Sequence, residues 1–202
     1  MSATRSALLV IDVQNDFCPG GALAVPDGDA IVPGINAILD DFDVRVFTQD
    51  WHPADHLSFA SQHEGLEPFA LTQMPYGEQV LWPDHCVIGS SGAAFHKDLN
   101  TDAADLIIRK GFRRTVDSYS AFFENDRETP TGLHGALSEL NVNSVTLTGL
   151  ATDFCVAYSA LDAARLGYDV TVDTRLCRAI DLNQSLNKSL LQLELSKVRV
   201  CR

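Results

Sequence analysis

The chain predicts a three-layer α/β/α domain on a mostly parallel central sheet. Three observations lead there. Short β-branched runs alternate with helical patterns along the chain, which is the signature of strand–helix–strand units and a parallel sheet. The first run, Ala7-Leu8-Leu9-Val10-Ile11, is continuously apolar, as a strand covered on both faces must be. The chain has 202 residues, 46% hydrophobic and 21% charged, which is enough to bury one full core. Residues 1–202 therefore read as a single domain, with no internal repeat and no linker.

The elements follow in order. Val44-Arg45-Val46-Phe47-Thr48 is the second strand, Leu106-Ile107-Ile108 the third and Val145-Thr146-Leu147-Thr148 the fourth. Val170-Thr171-Val172 is the fifth, and Val198-Arg199-Val200 a short last one. Residues 31–39 form a helix, with Ile31, Ile35, Ile38 and Leu39 on one face and Pro33 in its first turn. Residues 133–140 form a second. Residues 154–166 form a third, capped by Thr152-Asp153 and ended by Gly167. Leu182, Leu186, Leu190 and Leu193 lie at helical spacing behind Asp181. Residues 49–105 are the exception: long, weakly periodic and rich in His, Pro, Gly and Trp, as functional loops are.

Composition narrows the partners. Fifteen Lys and Arg against 27 Asp and Glu give a net charge of −12. Nucleic acid and anionic membrane are thus not expected partners, because both are held by clustered cations. The basic stretches at 109–114 and 175–178 are short. No apolar run approaches the roughly 20 residues that span a bilayer. Residues 1–6 lead into the apolar residues 7–11, which Asp12 ends too early for a signal-peptide core. Five cysteines, an odd number with wide spacings and no CxxC, suggest free thiols in a reducing cytoplasm. The sequence is compatible with a homo-oligomer and fixes no oligomeric state.

Ligands of open α/β sheets bind outside the carboxyl ends of the strands. Asp12 follows the first strand, Asp50-Trp51-His52 the second, Lys110-Gly111 the third, and Gly149-Leu150-Ala151-Thr152-Asp153-Phe154-Cys155 the fourth. Cys155 falls in the first turn of a helix, where the thiolate is favoured. Alone, Asp12 serves equally well as a turn cap, Lys110 as a solvated surface lysine and Cys155 as a small buried hydrophobe. Together an acid, a lysine and a thiol can move a proton and stabilise the charge that results. Cys18, Cys86, Cys177 and Cys201 have no such setting. Asp50-x-His52, with His56 and His63 nearby and His85 across the loop, fits an open Zn²⁺, Mn²⁺ or Fe²⁺ site. By spacing alone, it fits loop-packing histidines equally well.

Four motifs carry a resemblance: Val10-Ile11-Asp12-Val13-Gln14-Asn15-Asp16-Phe17, Thr48-Gln49-Asp50-Trp51-His52-Pro53, Trp82-Pro83-Asp84-His85-Cys86-Val87 and Gly149-Leu150-Ala151-Thr152-Asp153-Phe154-Cys155-Val156. In this order they resemble the nicotinamidase branch of the isochorismatase-like cysteine hydrolases, over residues 7–178. Val116-Asp117-Ser118-Tyr119-Ser120-Ala121-Phe122-Phe123 is similar to the bacterial form of that branch.

The resemblance implies the isochorismatase-like hydrolase fold and hydrolysis of a small molecule, nicotinamide, to nicotinate and ammonia. Pyrazinamide, nearly isosteric, is implied as a further substrate, and NAD salvage as the setting. It implies Cys155 as nucleophile, Asp12 as general base and Lys110 as supporting cation. Asp50, His52 and His85 match ligands of one divalent metal ion, and Phe17, Trp82, Tyr119 and Ala151 match the substrate pocket. Leu150-Ala151 matches a cis peptide, with the N–H groups of Ala151 and Cys155 as oxyanion hole. Phe154 departs from the His or Tyr frequent at its position, and His56 is an open question. The rivals are an amidohydrolase of N-carbamoyl or ureido amides, which would keep the thiol trio without needing the metal set, and a non-catalytic binding protein on the same fold.

Overall fold

The computed structural model describes residues 5–202. The first four residues of the leading segment, and of the expected 1–202 domain, lie outside the described residues. Among the described residues eight strands form: β1 (Arg5–Ile11), β2 (Val44–Asp50), β3 (Leu71–Met74), β4 (Gly77–Val80), β5 (Leu106–Lys110), β6 (Val142–Leu150), β7 (Asp169–Arg178) and β8 (Arg199–Cys201). Six of them make one sheet in the order β5-β2-β1-β6-β7-β8, every neighbouring pair parallel. β1 sits at its centre, and residues 7–11 are 0% exposed, which explains their unbroken apolar run.

Four helices complete the layers: α1 (Val32–Ile38), α2 (Leu133–Glu139), α3 (Ala157–Arg165) and α4 (Ser185–Leu195). From β1 the chain winds outward through β2 to β5, then returns to β6 and winds the other way. Right-handed crossovers put α1 on one face and α2, α3 and α4 on the other. The winding reverses between β1 and β6, so the crevice that binds ligands in such sheets opens at the carboxyl ends of these two strands. Gly149 makes their close approach there possible. It pairs with Ile11 and has φ 111°, and a Cβ on it would lie 2.1 Å from the Ile11 carbonyl oxygen.

Several elements differ from the sequence expectation. The third strand runs on to Lys110, so Lys110 closes β5 rather than following it. The fifth runs to Arg178, which puts the basic stretch 175–178 inside β7. α1 is shorter than residues 31–39, with tight turns at Gly28–Ile31 and Leu39–Asp41. Leu182 lies outside α4, because Asp181, Asn183 and Gln184 all have positive φ and break the helix before Ser185. The long stretch 49–105 contains the antiparallel hairpin β3–β4, turned at Pro75-Tyr76 and closed by Gly77 at φ 125°.

Thr152-Asp153 do not cap α3. They lie in a wide turn, Thr152–Val156, where the Val156 N–H reaches back to the Ala151 carbonyl at 3.1 Å. The Asp153 carboxylate instead accepts the N–H groups of Ile180 and Asp181, at 3.1 and 2.7 Å, and the Ser185 hydroxyl. It ties the chain before Cys155 to the start of α4.

Candidate active site

Asp12 leaves the end of β1 at φ 48°, a left-handed conformation that Asp tolerates, and is fully buried. Its Oδ1 accepts the Thr48 hydroxyl at 2.6 Å. Its Oδ2 lies 2.9 Å from Lys110 Nζ but outside hydrogen-bonding geometry, so that oxygen keeps a free lone pair. Burial raises the Asp12 carboxyl above its usual range, against the pull of Lys110.

Lys110 ends β5 directly opposite Asp50, which ends β2. Its buried ammonium donates to Asp50 Oδ1 at 2.5 Å and to the Ser118 carbonyl at 2.8 Å, and it lies 3.5 Å from Cys155 Sγ. Burial would lower its pKa, but Asp12 and Asp50 together hold it well above the usual lysine value, so it stays a cation.

Cys155 comes from the turn after β6, and its Sγ lies within 4.8 Å of carboxylate oxygens of both Asp12 and Asp50. The position in a first helical turn suggested a favoured thiolate. The structure corrects this: burial pushes the thiol well above its usual value, and the two carboxylates reinforce that against Lys110. The Leu150-Ala151 peptide is cis, immediately before this turn.

A second cluster adjoins the first. The N–H of His52 donates to the Cys86 carbonyl at 3.0 Å and that of Ile88 to the His52 carbonyl at 2.8 Å, which brings His85 beside His52. His52 Nδ1 lies 2.8 Å from the Gly111 carbonyl and His85 Nδ1 2.8 Å from the Pro83 carbonyl. A carbonyl only accepts, so both Nδ1 atoms carry the proton and both Nε2 atoms offer a lone pair. Those Nε2 atoms lie 3.8 and 3.9 Å from Asp50 Oδ2, too far to hydrogen-bond but close enough for one ion to touch all three. Gly111, at φ 67°, leaves the space: a Cβ there would lie 2.4 Å from His52 Cε1. A carboxylate and two imidazoles, oriented from behind by carbonyls, are a donor set that fits a divalent ion.

Against the burial that would lower it, Asp50 raises the His52 imidazole, while burial and the nearby His52 push His85 down to about 4. His56 lies beside this set, its ring 4.6 Å from that of His52. Its Nε2 donates to the Val116 carbonyl at 3.2 Å and its Nδ1 accepts the Ser58 hydroxyl at 2.7 Å, so neither nitrogen is free toward Asp50. His63 Nε2 is bonded to the Leu57 carbonyl at 2.8 Å.

Between the clusters lies a narrow cavity of about 20 Å³, walled by Phe17, Trp82, Tyr119, Ala151 and Cys155, with Asp50 and His85 at one end. Phe154 packs edge-on against Trp82 and Tyr119, at 4.9 and 5.6 Å, and makes the wall apolar at the position where a His or Tyr is frequent. Sequence reasoning missed four wall or support residues. Leu23 and Ile180 carry no chemical signal, Asp117 hides inside a motif quoted for its tyrosine, and Thr48 reads as plain strand.

The isochorismatase domain model matches residues 6–201. The chain belongs to the isochorismatase family. Within it, this chain is 52% identical to a nicotinamidase of Acinetobacter baylyi over 98% of its own length and 92% of that protein's. Among isochorismatase-family structures, that of Acinetobacter baumanii nicotinamidase pyrazinamidase superposes with a TM-score of 0.97 at 49% identity, covering 100% of this chain and 98% of that one. A PnC1 structure from L. infantum in complex with nicotinate gives 0.86 at 37%, covering 100% and 94%. A pyrazinamidase of Pyrococcus horikoshii in complex with zinc gives 0.79 at 33%, covering 98% and 99%. Among the described residues no helix is long and apolar enough to cross a membrane.

Proposed function

We propose that this chain, as one domain over residues 1–202, hydrolyses nicotinamide to nicotinate and ammonia through a thioester on Cys155. The observation that carries the reading is Lys110: one buried ammonium touches Asp12, Cys155 and Asp50, joining a proton acceptor, a nucleophile and an ion-binding carboxylate beside one aromatic slot. The nicotinamidase relatives and the nicotinate-bound structure support the substrate.

The geometry supports a proton path through Asp12. Asp12, with a free lone pair on Oδ2, takes the thiol proton as Sγ attacks the carboxamide carbon. The carbonyl oxygen becomes an oxyanion aimed at the N–H groups of Ala151 and Cys155. Asp12 returns the proton to nitrogen, the C–N bond breaks and ammonia leaves. A water that Asp12 deprotonates then attacks the thioester, releasing nicotinate and restoring the thiol. Lys110 keeps the adjacent negative charges compensated throughout. Asp50, His52 and His85 would hold one Zn²⁺, Mn²⁺ or Fe²⁺, which when bound supplies a Lewis-acid anchor for the pyridine nitrogen. Phe17, Trp82 and Tyr119 sandwich and flank the ring. Five free cysteines suit a reducing cytoplasm, and the reaction suits NAD salvage.

The test is ammonia release from nicotinamide, pyrazinamide, benzamide and an N-carbamoyl amide. The reading expects turnover of the two ring-nitrogen amides, with benzamide much poorer. Preference for the N-carbamoyl amide would replace it with the ureido amidohydrolase, and no turnover of any would favour a binding protein.

A further inference from the structure

Gln79 takes no part in the chemistry above, yet it is 1% exposed and sits on β4, outside the main sheet, next to the slot. Its Nε2 lies 2.7 Å from the Val80 carbonyl, 2.8 Å from Asp117 Oδ2 and 2.9 Å from the Tyr119 hydroxyl. Its Oε1 accepts Asn125 Nδ2 at 3.1 Å and the Tyr76 hydroxyl at 3.2 Å. Three acceptors thus share the two hydrogens of one amide nitrogen, and two donors meet its oxygen. A side-chain amide offers both functions at one point.

The bonds converge on Tyr119. Its backbone N–H donates to Asn125 Oδ1 at 2.9 Å, and its hydroxyl accepts both Gln79 and the Trp82 indole N–H, the latter at 3.1 Å. Tyr119 is therefore gripped at both ends, and Trp82 is held through the Tyr119 hydroxyl. These are two of the aromatic walls of the slot.

We propose that Gln79 is a positioning residue of this site: its side-chain amide fixes the Tyr119 hydroxyl and the Asp117 carboxylate, and through Tyr119 the Trp82 indole, so that the ring slot is formed before substrate arrives. The proposal rests on the reading that this slot takes a pyridine carboxamide. Its physical content is preorganisation. Without the amide, Tyr119 and Trp82 must be ordered by the substrate, which lowers affinity while leaving the Cys155 side of the cavity untouched.

The experiment compares Gln79→Met, Tyr119→Phe and the double variant with the native protein. Gln79→Met keeps an unbranched chain of similar volume and should raise KM for nicotinamide roughly five- to tenfold, on the scale of one lost hydrogen bond, with kcat within about threefold. Tyr119→Phe removes the group that Gln79 grips, so the double variant should show no further rise. Gln79→Glu should not rescue, because it has no donor for Tyr119 and faces Asp117 with a second carboxylate. The second readout needs no substrate. The protein has two tryptophans, and Trp51 lies under the Arg109 guanidinium. In a ¹⁵N-resolved spectrum the Trp82 indole N–H signal should move in Gln79→Met while that of Trp51 stays. An unmoved Trp82 signal, a loss confined to kcat, or additive effects of the two substitutions would overturn the proposal. If Gln79→Met does not fold, Tyr119→Phe carries the test, and an unmoved Trp82 signal with unchanged KM overturns it. A native protein inert on nicotinamide would refute the function while the Trp82 signal still decides the role of Gln79.

Discussion

The two sides of the cavity come from different parts of the chain and are held by different forces. The nucleophile side is made at strand ends: Asp12 after β1, Asp50 and Lys110 closing β2 and β5, and Cys155 in the turn after β6. Its cohesion is ionic, with one ammonium among two carboxylates and a thiol, all buried. The ring side is made by Phe17 in the segment after β1 and by the segments between β2 and β5 and between β5 and α2. Its cohesion is mainly uncharged: an amide, a phenol, an indole and an asparagine share hydrogen bonds, with the Asp117 carboxylate as their one anionic acceptor. A buried ion set fails sharply when one member goes, because the others are left uncompensated. A mainly uncharged network loses about one bond's worth at a time. The prediction from this contrast is that substitutions on the nucleophile side abolish the rate or the fold, and those on the ring side shift affinity.

The largest effects should come from the reacting atoms. Cys155→Ala should lose at least about 10⁴-fold in kcat with the fold intact, since no other group can form the thioester. Native protein quenched during turnover should carry the added acyl mass, and the variant should not. Asp12→Asn should lose about 10²- to 10⁴-fold in kcat, as expected for removal of a general base. Normal turnover by either variant would break the contrast at its centre.

Next comes Lys110, where the damage extends to stability. Lys110→Met leaves Asp12 and Asp50 facing each other without a cation, and breaking such a buried set costs about 3–5 kcal/mol. Chemical denaturation should show that loss at neutral pH. Adding Asp50→Asn to Lys110→Met should recover part of the stability but no activity. A Lys110→Met protein as stable as the native one would mean that the ion set is not what holds this side together.

The two sides also differ in how they read from sequence. The strand ends were legible because β-branched runs mark the strands, and ligand groups of parallel sheets gather where those runs stop. Asp12, Asp50, Lys110 and Cys155 could each be placed from that rule. What stayed hidden was that Asp50 shares the cation of Asp12 and Cys155, since the Asp50–Lys110 register follows from strand pairing across 60 residues. The ring side was harder. Trp82 and Tyr119 were found only through motif resemblance, and Gln79 not at all, because its four-residue strand carries little periodicity and a lone glutamine has no signature spacing. Asp153 misled for a local reason: a Thr-Asp pair before a helix looks like a cap, and only the folded chain shows its carboxylate reaching Ile180, Asp181 and Ser185.

The imidazole cluster lies between the two sides and should behave accordingly. If the ion positions the ring, His52→Ala should raise KM for nicotinamide about tenfold or more and lower kcat less. It should also narrow the gap between nicotinamide and benzamide, which lacks the ring nitrogen. Metal content by elemental analysis should fall in the same variant. Unchanged KM together with unchanged metal content would remove the ion from the ring's anchorage.

The last expected effect is on the pH dependence of stability in metal-stripped protein, and there the two histidines pull in opposite directions. His85 is pushed down to about 4 from an ordinary 6.5. Between those values the unfolded chain binds a proton that the folded one does not, so the His85 contribution to stability rises with pH through that window. His52 is raised above 6.5, so its contribution is fully present below 6.5 and is lost as pH rises through its folded value. Together they place a maximum near the ordinary histidine pKa. Saturating metal should abolish the His52 decline, because an ion bound at Nε2 replaces the proton whose release causes it. Denaturation midpoints of chelator-treated and metal-loaded protein at pH 5, 6.5 and 8 would show this. In His52→Ala the decline above pH 6.5 should vanish while the rise below it remains. A decline that persists in that variant would assign it to another group and detach His52 from the Asp50 carboxylate that is held to raise it.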